Sequence, residues 1–253
     1  MANWTKKLRD FYDDAGIGVA SFSCPHQHEC EGAASPRPLH FGAEAYVGPR
    51  YGKALRIVVV SLDTGHASSD LDERRAAIES LGPEKLNPHM KGTTILLSRL
   101  LDAETPVGAN PHPYYAMINA AKCSGADGSK NKLPSRLYRN CRYFALRELA
   151  LLKPQLIVTQ GNDAAAAVGG PDPVDKGALL SVVRRLGARG AAADYLVSLG
   201  QEYLRRCTLL EAAPVYVLQA PHPAARDGRW QIFERILLDP VVAMARQLVG
   251  ATA

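Results

Sequence analysis

The chain has no uninterrupted apolar run approaching the roughly 18 residues that a membrane-spanning helix needs, so a membrane protein of that kind is excluded. Its first residues mix charge with aromatics and lack the apolar stretch of a signal peptide, so a cytoplasmic protein is expected. The disorder signature, low hydrophobicity with high net charge, is also missing: 47% of residues are hydrophobic and the net charge is only +5. No internal repeat or low-complexity linker interrupts the 253 residues, so a single domain over 1–253 is expected, and a monomer. Cysteine is scarce, five residues in all. An intracellular chain does not rely on structural disulfides, so these five point to metal, cluster or redox chemistry. A mild basic excess, 30 Lys and Arg against 25 Asp and Glu, suits a polyanionic partner.

The apolar patterning alternates between two periods. Residues 3–15 read as a short amphipathic helix, and the stretch from 21 to 52 turns irregular, rich in Cys, His, Pro and Gly. Buried strands are expected at 55–62, 115–119, 155–160 and 215–219, each a continuous apolar run. Helices are expected at 93–101, at 135–152 before the Lys153–Pro154 step, from Gly161, and at 230–248. Residues 67–91 read as a polar loop with room for one short helix, and 169–210 as an extra helical insertion. Strands that alternate with helices, apolar on both faces, predict an α/β fold: a three-layer α/β/α sandwich around a central, mostly parallel four-stranded sheet. In such sheets ligands bind beyond the carboxyl ends of the strands. There the sequence places Ser61-Leu62-Asp63-Thr64-Gly65-His66, Asn119-Ala120-Ala121-Lys122-Cys123, Gln160-Gly161-Asn162 and Ala220-Pro221-His222-Pro223-Ala224. An Asp, an Asn and a His would converge on one rim.

These segments, in this order, resemble the uracil-DNA glycosylase superfamily, and most of all its iron–sulfur branch with the family 4 enzymes. The strongest likeness runs from Ile118 to Ala164, INAAKC…NCRYFALRELALLKPQLIVTQGNDA. The resemblance implies an enzyme that flips uracil out of DNA and hydrolyses its glycosidic bond to leave an abasic site. On that likeness Asp63 orients water and stabilises the sugar cation, His222 stabilises the departing base as a hydrogen-bond donor, and Asn119 reads the uracil edge. The first motif, SLDTGH, departs from family 4 and instead matches the Asp and His positions of family 1, which brings in His66. His89, in Pro88-His89-Met90-Lys91-Gly92, stands where family 4 carries a base-stacking Phe, which opens the pocket to other deaminated bases.

The same likeness implies a structural 4Fe–4S cluster on Cys24, Cys30, Cys123 and Cys141, held through a segment of about 20–52 and the Cys123–Cys141 loop. A structural zinc is the competing reading, and the loose Cys24–Cys30 spacing leaves His26 and His28 open as ligands. Cys207, in the helix-like YLRRCTLL, reads as a buried free thiol. Lys130, Lys132, Arg136 and Arg139 beside the cluster, and Arg226 after the last strand, are the expected contacts to single- or double-stranded DNA. No Lys stands at a matched rim position to form a Schiff base, so monofunctional chemistry is expected. Three other functions stay open: a sensor that binds damaged bases without excising them, a covalent uracil trap, and a hydrolase of free nucleosides. The absence of His between Cys123 and Cys141 argues against the trap, and the basic loop with four cysteines argues against the nucleoside hydrolase.

Overall fold

The computed structural model describes residues 4–18, 22–35, 39–62, 73, 76, 88–101, 110–125, 133–209, 214–225 and 227–250. Its elements, in chain order, begin with α1 (Trp4–Ala15), α2 (Gln27–Ala34), β1 (Leu39–Phe41), β2 (Tyr46–Val47), β3 (Ile57–Ser61) and α3 (Pro88–Leu101). The middle of the chain forms β4 (Ala116–Asn119), β5 (Cys123–Gly125), α4 (Ser135–Leu152), β6 (Leu156–Gln160) and α5 (Asn162–Ala167). It closes with β7 (Asp172–Pro173), α6 (Lys176–Arg185), α7 (Gly190–Tyr203), β8 (Leu204–Thr208), β9 (Pro214–Ala220), α8 (Arg229–Ile232), a π turn (Phe233–Leu237) and α9 (Leu238–Gly250). Among these described residues, no helix is long and apolar enough to cross a membrane.

One mixed sheet of seven strands runs in the order β2-β4-β3-β6-β9-β8-β7, with a separate two-stranded pairing of β1 and β5. The four apolar runs seen in the sequence are β4, β3, β6 and β9, and each neighbouring pair among them is parallel. The expectation of four strands is corrected to seven, because β2, β8 and β7 add antiparallel edges. These edges left little trace in the sequence. β2 and β7 are two residues each, too short for a period, and β8 (LRRCT) has one buried residue, Leu204, followed by half-buried and exposed positions that include two arginines. The helix-like YLRRCTLL accordingly breaks at Tyr203, and Cys207 sits half-buried on a strand. The 169–210 segment thus holds two helices and two sheet strands, rather than helices alone. The irregular 21–52 stretch contains α2, β1 and β2.

Alternation along each central strand divides the core between two faces. Ile57, Val59, Leu156, Val158 and Leu218 pack with α3, α6, α7 and α9, whereas Val58, Val60, Ile157 and Val217 pack with α1, α4 and α5. Burial on both faces is why these strands read as unbroken apolar runs. α4 ends where Lys153 turns left-handed at φ 49°, its N–H donating to the Leu149 carbonyl, because the following Pro154 disfavours helical geometry at Lys153. β6 then starts two residues later, which delivers Gln160 to the rim.

Candidate functional site

Strand register levels the rim. Ser61 at the end of β3 pairs with Asn119 at the end of β4, and Gln160 at the end of β6 pairs with Ala220 at the end of β9. Beyond these pairs the chains stay tied, with Ala120 N–H donating to Ser61 O and Gly161 N–H to Ala220 O. The turn at Gly161 has φ 90°, a conformation that suits glycine, and a side chain there would stand 3.5 Å from His222 Cβ. His222 therefore lies directly against the start of the β6–α5 turn. Asn119 is buried at the same level, at the end of β4 on the far side of β3.

His222 is held by two contacts. Its Nδ1 accepts the Ala224 backbone N–H at 3.2 Å, so the neutral ring carries its proton on Nε2. Its ring stacks on His89, with centroids 5.0 Å apart and planes 7° from parallel. Burial, and then the charge of His89, push the His222 pKa down to about 4, so the ring is neutral near pH 7. A neutral imidazole with a fixed Nε2–H is a hydrogen-bond donor without a full charge.

His89 reaches the strand ends from the first turn of α3. Its Nε2 lies 2.6 Å from Gln160 Oε1 and 3.3 Å from Ser61 Oγ. The Ser61 hydroxyl donates to the same Gln160 oxygen at 3.2 Å, and Gln160 Nε2 donates to Thr93 Oγ1 at 2.7 Å. Ser61, Thr93 and Gln160 are all buried. The sequence places Ser61 and Gln160 on the rim, each as the polar end of a buried strand, whereas Thr93, inside α3, and the hydrogen bonds among the three carried no such signal. A cavity of about 480 Å³ opens beside His222, bounded by Gln160, Asn162, Asp163, Arg205 and Arg229 among others. Tyr203 and Arg205, at the α7–β8 junction, bring the 169–210 segment to the site's edge.

Asp63, His66, Lys130, Lys132 and Arg226 lie outside the described residues. Arg136 and Arg139 are exposed on the first turns of α4. At helical spacing they fall on one stripe with Arg147 and with Tyr143, whose side chain is 59% exposed. Lys122 turns away from the rim: buried, it pairs with the equally buried Glu148 at 2.5 Å, and Tyr12 donates to the other Glu148 oxygen at 2.6 Å.

Cys24, Cys30, Cys123 and Cys141 are in no disulfide, with Cys30, Cys123 and Cys141 buried and Cys24 half-buried. Cys123 lies within electrostatic reach of Cys141, Cys30 and Cys24, and its thiol pKa is driven far up, by burial first and then by these neighbours. Cys141 is pushed up to about 12, mainly by burial. Its sulfur accepts the Lys122 backbone N–H at 3.2 Å, and the Asn140 amide donates to Cys30 Sγ at 3.5 Å. Among the described residues, no three or more His, Cys, Asp or Glu side chains are grouped so as to hold a metal ion. Cys207 stands apart on β8, its thiol raised to about 11 by burial alone. No protein-family model matches the chain, and no curated protein matches it.

Proposed function

We propose that this chain is a monofunctional uracil-DNA glycosylase on a three-layer α/β/α fold of the uracil-DNA glycosylase type. One arrangement carries the reading: the ends of the parallel strands, in register, set Asn119 and a neutral His222 with a fixed Nε2–H on a single rim. Negative charge develops on the departing base, and a donor that is neutral beforehand stabilises it without first attracting other anions. The Asn119 amide offers both donor and acceptor to the base edge, and the carboxylate of Asp63 orients the attacking water. Lys122, buried against Glu148, is withdrawn from any Schiff-base role. The exposed Arg136, Arg139, Arg147 and Tyr143 stripe supports a nucleic-acid partner, cations for phosphates and a ring for a base.

Cys24, Cys30, Cys123 and Cys141 are the residues that would hold a 4Fe–4S cluster. Cys123 and Cys141 lie within electrostatic reach of each other and of Cys24 and Cys30, which supports one shared site on the four thiols, with a structural zinc as the alternative occupant. When bound, the cluster would cross-link α2, β5 and α4; hydrolysis needs no electron transfer.

The test is single-turnover release of uracil from single- and double-stranded oligonucleotides by wild type, Asp63→Asn and His222→Ala, with iron content and the visible spectrum of wild type and Cys123→Ser. Release that collapses in both rim variants, from a coloured wild type whose iron is lost in Cys123→Ser, supports the reading. DNA binding without release at enzyme excess refutes the enzyme and leaves a damage sensor.

A further inference from the structure

We infer that His89 is a positioning residue for His222: a flat ring, locked at one edge by Gln160 and Ser61, against which the His222 ring is held parallel. The inference rests on the role of His222 proposed above. The lock on His89 follows from proton accounting. Thr93 donates its hydroxyl proton to the His89 carbonyl at 2.8 Å, so Thr93 Oγ1 accepts from Gln160 Nε2. That orients the Gln160 amide and leaves Oε1, which has no proton, facing His89 Nε2 at 2.6 Å. His89 must then carry hydrogen on Nε2, and its ring plane is set by a buried amide that is itself tied to two strands and a helix.

α3 braces the His222 loop a second time. Gly92, one turn after His89, packs so closely on the buried Pro223 that an added Cβ would stand 2.4 Å from Pro223 Cβ. One helix therefore meets two successive loop residues, His89 on His222 and Gly92 on Pro223. With the Ala224 N–H on Nδ1, the position, plane and tautomer of the catalytic ring are all set before substrate arrives. A donor that stabilises charge in a transition state needs this, because reorientation during the reaction would consume the stabilisation it gives. The charge of His89 contributes to keeping His222 neutral, in addition to burial.

The experiment compares wild type with His89→Leu and His89→Phe. One readout is the ring ¹⁵N shifts of His222 near neutral pH, and the other is single-turnover uracil release at saturating DNA. In wild type, His222 is expected as the single Nε2–H tautomer. In His89→Leu the tautomer signature becomes averaged and the release rate falls at least tenfold, with affinity for abasic-site DNA retained. His89→Phe, which keeps a flat ring, regains most of that loss. Unchanged His222 shifts in a folded His89→Leu protein overturn the inference, and so does a His89→Phe variant no better than His89→Leu. The two failures separate cleanly: wild type that releases no uracil sinks the proposed activity, whereas the His222 shifts report on positioning whether or not uracil is released.

Discussion

Substituting Gly92 by alanine places a methyl group where the fold has no room. The new Cβ would stand 2.4 Å from Pro223 Cβ, 2.9 Å from Pro223 Cγ and 2.8 Å from Trp230 Cζ2. Carbon atoms pack at about 3.5–4.0 Å, so α3 and the Pro223 loop must part by about 1 Å. Neither neighbour yields easily. Pro223 is a rigid ring between His222 and Ala224, and Trp230 is buried in the core. Overpacking of this kind costs about 1–3 kcal/mol, offset in part by up to about 1 kcal/mol of helix propensity gained on replacing glycine. The effect on activity is expected to be larger than the effect on stability. The displaced residue adjoins His222, and a misplacement of about 1 Å at a reacting group costs about a hundredfold in rate. Gly32→Ala, in α2 with nothing within 4 Å of its added Cβ, is the control and is expected to be neutral or stabilising. Urea denaturation and single-turnover uracil release measure the two effects. Gly92→Ala as stable and as fast as wild type would refute the close packing of α3 on the His222 loop.

Two further perturbations test other parts of the molecule. Lys122→Met or Glu148→Gln alone strands a buried partner, since the pair is 1% and 0% exposed, and is expected to cost about 3–5 kcal/mol in denaturant melts. The double variant Lys122→Met with Glu148→Leu is expected to recover part of that loss. The rate of uracil release is expected to stay level from pH 8 to pH 5 on account of His222, and to fall as pH drops through about 4. The sign follows from burial: the folded protein disfavours the charged ring, so neutral His222 persists below its ordinary value of 6.5, and protonation then sets a second N–H against the Ala224 donor. A pH profile of single-turnover rates for wild type whose acid limb falls near 6.5 contradicts this environment.

The amino-acid sequence by itself determined the four central strands, because burial on both faces demands unbroken β-branched and aliphatic runs such as Ile57–Ser61 and Leu156–Gln160. It determined the limits of α4 as well, since Pro134 stands at its start and Lys153–Pro154 at its end, and their effect is local. It also brought out the segments that reach the rim, because whatever follows a parallel strand must emerge at that edge. Only the tertiary structure decided the sheet's outer strands. β7 and β8 are short and charged, β7 exposed and β8 partly so, and such strands exist through pairing, β8 with β9 and β7 with β8, rather than through their own pattern. Only the tertiary structure gave His89 its partners. Gln160 is 71 residues away along the chain and His222 comes from a third segment, so neither contact has a sequence period to announce it. The same holds for Lys122, which stands beside a cysteine of the expected cluster yet turns to Glu148, because two charges excluded from water must find each other wherever the fold places them.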